Sequence, residues 1–374
     1  MNTTCYRSIH DVARDEWNVL VSPDHIICSH EFLCAVEDAG INNCRYYYPV
    51  VYRDSRMVAH AAVCSIDTEL DAFARGILKS AISGVRRVWK DFFILHTLEC
   101  GSPVGLGTTI SVLPGEDETA CLTLLVGAME EISRAEGISV LFIRDFSGEE
   151  LTRLSPILSP MGYRAARNLP EVRMSIRWGS FHDYLSDMRS EFRSNAVALQ
   201  RKFTNTGCTV REVSQFSPLA GILTGLWKNA YDHAKEYRRE VLTPAFFKRM
   251  DVELGERSSV LLAEKDGAII GFLLLIRDDT VLTTLFSGLD YRWNRATACY
   301  FVLFHKALEI AMVEGKREVD FGITTVKPKL DLGGCVKPLY IYVKHVNPLL
   351  NRWVGRIFTW MTPQQKTEYR RVFK

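Results

Sequence analysis

Two lysines near the C-terminal end of the chain stand in a stretch that changes character within a few residues. Residues 319–334 read VDFGITTVKPKLDLGG. The first of these suit a short buried strand with Asp320 in it, and Lys327 and Lys329 follow among Thr, Pro and Gly. A loop with that composition is either a solvated turn or one wall of a site. Much other chemistry is excluded. The chain has no G-x-x-x-x-G-K-[ST] for cradling phosphates, no H-E-x-x-H and no G-x-S-x-G nucleophile elbow. Its nine histidines do not pair at metal-ligand spacing, so no metal is expected. Gly105-Leu106-Gly107 lacks the third glycine of a dinucleotide loop.

The bounds are those of an ordinary globular protein. The chain has 374 residues, 47% hydrophobic and 24% charged, enough for two domains with sizeable cores. With 46 basic and 44 acidic residues the net charge is +2, which gives no general attraction to nucleic acid; DNA is not an expected partner. Ten cysteines stand singly without a C-x-x-C, which fits a reducing cytoplasm. No signal-type run opens the sequence and no run of about 18 apolar residues occurs, so a spanning helix is not expected.

The elements that must position the lysines come next. In the second half, VLLAEKDGAIIGFLLLI reads as a hairpin around Lys265-Asp266-Gly267, and DTVLTTLFSGLDY as a further strand. Phe301, Leu303, Phe304, Leu308 and Met312 give a helix over residues 297–313 that stops at Gly315. A short strand through Val319 and then PLYIYVKHV complete this half. The first half repeats the order: a hairpin around residues 53–56, the strand FFILHTLECGSPVG, the helix CLTLLVGAMEEISRAEG, the strand ISVLFIRDF, and EVRMSIRW as its last strand. That repetition argues for an internal duplication, α/β (α+β) in class, with residues 1–178 and 179–374 as the two domains. Residues 69–92 form an amphipathic insert with Arg75, Lys79, Arg86, Arg87 and Lys90; this insert and LLNRWVGRIFTWMTP near the C-terminus either cover a core or contact lipid.

A strand, a loop, a helix and a further strand followed by a basic loop, in each half, resemble the GNAT (N-acetyltransferase-like) fold. The tandem order, the basic helix RSEFRSNAVALQRKF, Gly315, Asp320-Phe321-Gly322 and the following Lys329 resemble the FemAB/CelD-like acyltransferases. The resemblance implies two tandem GNAT-like domains, each a mixed, mostly antiparallel sheet flanked by helices. It also implies N-acyl transfer from acyl-CoA or acyl carrier protein, used as co-substrate with no bound cofactor, to an amine of a lipid, envelope or small-molecule acceptor. The glycines usual in the donor loop are absent from RWNRATA, residues 292–298.

Acyl transfer needs a neutral amine, donors placed for the oxyanion, and both substrates held in line. Within the resemblance, Lys329 is the candidate for stabilising negative charge, with Lys327 as its substitute. Asp320 either orients the loop or binds the amine, and His233 is the candidate base. Arg292, Arg295 and Thr297 are expected at the donor, and Arg193 and Tyr237 complete the candidate binding set. The expected location is cytoplasmic, at the inner face of the membrane if the amphipathic segments contact lipid. The alternatives are a FemAB-type aminoacyl-tRNA-dependent transferase, with tRNA as a less favoured partner, and a non-catalytic GNAT-like module in polysaccharide or envelope assembly.

Overall fold

The computed structural model describes residues 1–69, 85, 94–234, 239–361 and 370–374. The insert expected at residues 69–92 lies outside the described residues, save Glu69 and Val85, as does Tyr237. The chain forms two compact units, one of residues 1–169, 236–241 and 338–365, the other of residues 170–235, 242–337 and 366–374. Elements are numbered along the chain.

In the first unit, the strands are β1 (Asn2–Tyr6), β2 (Arg45–Arg53), β3 (Arg56–Ala61), β4 (Val63–Glu69), β5 (Ile94–Cys100), β6 (Ile110–Val112), β7 (Val140–Phe146), β8 (Arg164–Arg167) and β16 (Tyr340–His345). They lie in the order β6-β3-β2-β4-β5-β7-β16-β8, with β1 also on β2. Its helices are α1 (Arg14–Asn18), α2 (His30–Asp38), α3 (Glu118–Glu136), α4 (Gly148–Leu158) and α12 (Pro348–Met361). Cys121, Leu122, Leu125, Val126, Met129 and Ile132 recur at helical spacing on α3 and pack with Leu98, Leu141, Ile143 and Tyr342 of the sheet. Asp117 caps α3 at Ala120 N, and Gly137, at φ 68°, ends it.

In the second unit, β9 (Glu171–Ser175), β10 (Cys208–Val213), β11 (Ser258–Lys265), β12 (Ala268–Arg277), β13 (Val281–Leu289), β14 (Glu318–Asp320) and β15 (Cys335–Lys337) run in the order β10-β11-β12-β13-β14-β9-β15. The helices are α5 (Phe181–Asp187), α6 (Ser190–Asn205), α7 (Ala220–His233), α8 (Pro244–Leu254), α9 (Tyr291–Thr297), α10 (Cys299–Val313) and α11 (Val326–Asp331). Leu303, Phe304, Ala307, Leu308 and Ala311 seat α10 on Leu261, Leu273 and Leu275 of the sheet. Gly271 is required there: a Cβ on it would lie 2.6 Å from Cys299 Sγ in the first turn of α10.

The duplication is visible strand by strand. In each sheet a parallel pair, β5–β7 or β13–β14, is followed by two antiparallel neighbours. The sources of the strand beside that pair correct the sequence reading. EVRMSIRW does not close the first sheet; its β9 lies in the second, against β14 and β15. PLYIYVKHV does not close the second; its β16 lies in the first, against β7 and β8. Both strands are apolar enough to suit either sheet, so pattern alone did not separate them.

Candidate active site

The second unit's parallel pair is short. Val281, Leu282 and Thr283 pair with Glu318, Val319 and Asp320, and β13 then continues to Leu289 without β14, paired with β12. Leu285 is an extra residue in the ladder with β12, since Leu274 faces Phe286 and Leu275 faces Thr284. The Thr284 hydroxyl donates to the Asp320 carbonyl at 3.1 Å, holding the strands at the point where they part.

Beyond Asp320 the chain turns through Gly322, at φ 72°, whose N–H donates to Asp320 Oδ1 at 2.7 Å. The expected loop is partly helical: Val326–Asp331 forms α11, entered through Thr325 at φ 55°. Pro328 is tolerated there because it stands in the first turn, where an N–H has no helical partner. This turn carries Lys329 inward. Lys329 is only 3% exposed, and its Nζ donates to the Gly322 carbonyl at 3.4 Å. Lys327 is exposed. Gly334 allows the next approach, since a Cβ there would meet Val172 Cγ1 at 2.6 Å and the Lys329 carbonyl at 2.9 Å.

Strand β9 brings charges that the sequence reading passed over. Glu171 and Arg173 are two residues apart and share one face of an inner strand. Arg173 pairs with Glu171 at 2.9 Å, Glu318 at 3.0 Å and Asp320 at 3.5 Å. The signal was available: two charged residues alternating with Val172 and Met174 put charge on a strand that otherwise reads as buried. Three carboxylates therefore surround one guanidinium, and Lys329 interacts electrostatically with one of them, Asp320.

Burial dominates how these groups titrate. It pulls Lys329 down from 10.5 to about 7, with Asp320 opposing. It pushes Glu171 up to about 7, helped by the charge of Asp320 and opposed by Arg173. Asp320 is raised by burial against the pull of Arg173, the Gly322 N–H and Lys329. Lys329 and Glu171 thus both change protonation near neutrality, which suits proton transfer.

The remaining candidates are placed elsewhere in this unit. His233 ends α7, exposed, with Nδ1 on the Asn229 carbonyl at 3.0 Å and its ring stacked on Tyr291 at 4.0 Å. None of these contacts reaches the Asp320–Lys329 group. Arg292 is exposed and paired at 2.6 Å with Asp290, the N-cap of α9. Arg295 is exposed in the last turn of α9, and its carbonyl accepts from Lys202. Thr297 is fully buried, and its hydroxyl donates to the Trp293 carbonyl of its own helix. Arg193 donates to the Met188 carbonyl at 3.4 Å, at the start of α6. The N-terminus of α10 follows Ala298, at φ 61°, with Asn294 Oδ1 accepting from Tyr300 N at 3.1 Å. A 15-residue helix at this place favours an anion at its start.

Comparison with known proteins agrees with this architecture. Residues 190–327 match the family model described as an acetyltransferase (GNAT) domain. A Mycobacterium tuberculosis protein named "Putative 8-amino-7-oxononanoate synthase 2" is 27% identical over 324 residues, 84% of this chain and 42% of that protein. The chain thus spans about two fifths of that relative's length. The crystal structure of FemX superposes with a TM-score of 0.60 at 12% identity, covering 95% of this chain and all of FemX. A tandem GNAT protein from the clavulanic acid biosynthesis pathway gives 0.54 at 11% identity, covering 93% and 99%. Residues 190–327 thus match a GNAT acetyltransferase domain, and the chain as a whole has a tandem GNAT-like fold similar to that of FemX.

Proposed function

We propose that this GNAT-type transferase moves an acyl group from an acyl thioester, on CoA or acyl carrier protein, to a primary amine carried on an apolar chain. The observation that carries this reading is the group of buried Lys329, Asp320 and Glu171 with half-buried Arg173 and Glu318 where β13 and β14 part. Its carboxylates outnumber its cations, so it favours an incoming ammonium. Glu171 then takes the proton, a role given to it here in place of His233, and the free amine attacks the thioester carbonyl. The C–N bond forms, protonated Lys329 faces the oxyanion, and the C–S bond breaks as the thiolate leaves with the proton that the attacking nitrogen gives up. The start of α10 receives the anionic part of the donor, with Arg295 at its approach. The longer relative's name supports the acceptor class, since 8-amino-7-oxononanoate bears an amine beside a ketone on a chain. The reaction is placed in the cytoplasm, with peripheral contact at the inner face of the membrane.

The test is incubation of the purified protein with CoA and carrier-protein thioesters of several chain lengths and a panel of primary amines, read by mass spectrometry. The expected product is an amide formed in step with free thiol. Release of thiol without amide from any amine, or no turnover of any thioester, overturns the reading.

A further inference from the structure

Helix α12 is held to the first unit by one side and leaves the other bare. Asn351 donates to the Gly162 carbonyl at 2.8 Å and accepts from His345 N at 2.9 Å. Phe358 meets Phe142 with ring centroids 5.2 Å apart, and Val354 joins the same cluster with Ala166, Ile341 and Val343. A Cβ on Gly355 would lie 3.0 Å from Arg164 Cβ, so the helix is seated closely on β8. This anchoring fixes which residues face outward. Leu349, Leu350, Trp353, Ile357 and Trp360 are 68%, 54%, 56%, 52% and 81% exposed. At about 100° per residue these five fall within an arc of roughly 100°.

We propose that this face of α12 docks the protein on an anionic lipid bilayer. The charge on the helix selects that occupant. Arg352 and Arg356 are its charged residues, both exposed and both flanking the apolar arc, and it contains no acid. Arg356 lies over the Trp353 ring at 5.4 Å, and Arg164 of β8 is exposed beside the helix. Tryptophans favour the headgroup level, and arginines next to them meet lipid phosphates. A second copy packed on this face about a two-fold axis would bring like arginines together. Among the described residues no single helix is long and apolar enough to cross a membrane, so the contact is a surface one for them. The proposal names the surface for the membrane contact suggested above and does not depend on the acyl-transfer chemistry.

The experiment is sedimentation of the full chain with vesicles of phosphatidylcholine alone and of phosphatidylcholine with phosphatidylglycerol. The wild type is expected to sediment with the anionic vesicles. A W353S/I357S/W360S variant should lose at least about tenfold in binding. An R352Q/R356Q variant should lose about fivefold per arginine on anionic vesicles only. All substituted positions are exposed, so melting temperature and acyl transfer to a water-soluble amine should match wild type. Loss of vesicle binding with that transfer intact separates this proposal from the catalytic one. Equal sedimentation of the triple variant, or no wild-type binding to anionic vesicles, overturns it. So does a wild-type dimer that the triple variant splits, which would make the face a contact between copies.

Discussion

The two units end their parallel strand pairs in charge clusters built with different cations. In the first, Arg144 pairs with Glu99 at 2.8 Å and Asp145 at 3.2 Å, and Arg239 adds a second guanidinium to Glu99 at 2.5 Å. Asn168 donates to Asp145 at 2.7 Å. In the second, half-buried Arg173 is shared among Glu171, Glu318 and Asp320, and buried Lys329 acts on Asp320. In the first unit Glu240 also feels the Arg144 charge, so its acids gather on two arginines that stay ionised, a set that stabilises a fold only modestly but is costly to break. In the second unit the second cation is instead a lysine that ionises near 7, so its positive charge comes and goes close to neutrality. The same strand ends thus serve as a structural pin in one unit and as a candidate reaction centre in the other.

The largest expected effect tests that contrast at the lysine. Lys329→Met should lower kcat/KM for amide formation by about a hundredfold or more, the usual scale for removing a transition-state charge partner. Lys329→Arg sharpens the result, because a guanidinium does not titrate in the working range. If protonated Lys329 is the active form, wild type shows an alkaline limb near pH 7, and the arginine variant loses it. A Met variant within about threefold of wild type would remove Lys329 from the chemistry.

Glu171 comes next. Glu171→Gln should cost about a hundredfold and erase the acidic limb of the kcat/KM profile, which in wild type rises toward a pH of about 7. An unchanged acidic limb would send the base role to another group. Asp320, also raised by burial, is the first to examine.

The first unit should respond in stability. Arg144→Met leaves Glu99 and Asp145 buried with one guanidinium fewer, at a cost of about 3 kcal/mol. Melting should fall by about 2–4 °C per kcal/mol, while kcat/KM at a temperature where the variant is folded stays within about threefold. A loss of turnover as large as that of Lys329→Met would show the two clusters to be equivalent in function.

How much of this contrast was legible in sequence depends on whether the signal was local. Asp320 and Lys329 could be read from one stretch because strand, turn and lysine are contiguous. The helices α3 and α10 were legible from apolar spacing and from Gly137 and Gly315, both at positive φ. The alternation of Glu171 and Arg173 with Val172 and Met174 marked the strand, but the pairing of Arg173 with Glu318, 145 residues away, leaves no local mark. The exchange of β9 and β16 was hidden for the same reason. The Thr297 hydroxyl returns to its own helix, a contact that Ser and Thr side chains make with a carbonyl one turn back and that the sequence pattern does not show.

The smallest effect concerns pH and stability, and its sign distinguishes the two buried groups of the second unit. Lys329 ionises at about 7 when folded, below the ordinary 10.5. Between those values the unfolded chain holds a proton that the folded chain has released, so stability rises with pH. Its burial therefore costs most below about 7, and the melting gain from Lys329→Met should be greatest there and fade toward pH 10.5. Glu171 runs the other way: raised from 4.5 to about 7, it keeps its proton in the folded chain across that window, so stability falls as pH rises. Glu171→Gln should thus gain most above about pH 7 and nothing below 4.5. The first unit has its own group in this range, Glu240, which burial raises to about 7. The measurement is accordingly the difference in melting temperature between each variant and wild type at matched pH, where the contribution of Glu240 cancels. Differences of the same sign slope for both variants would mean that Lys329 and Glu171 titrate as one coupled pair, and the separate roles of acid partner and base would have to be merged.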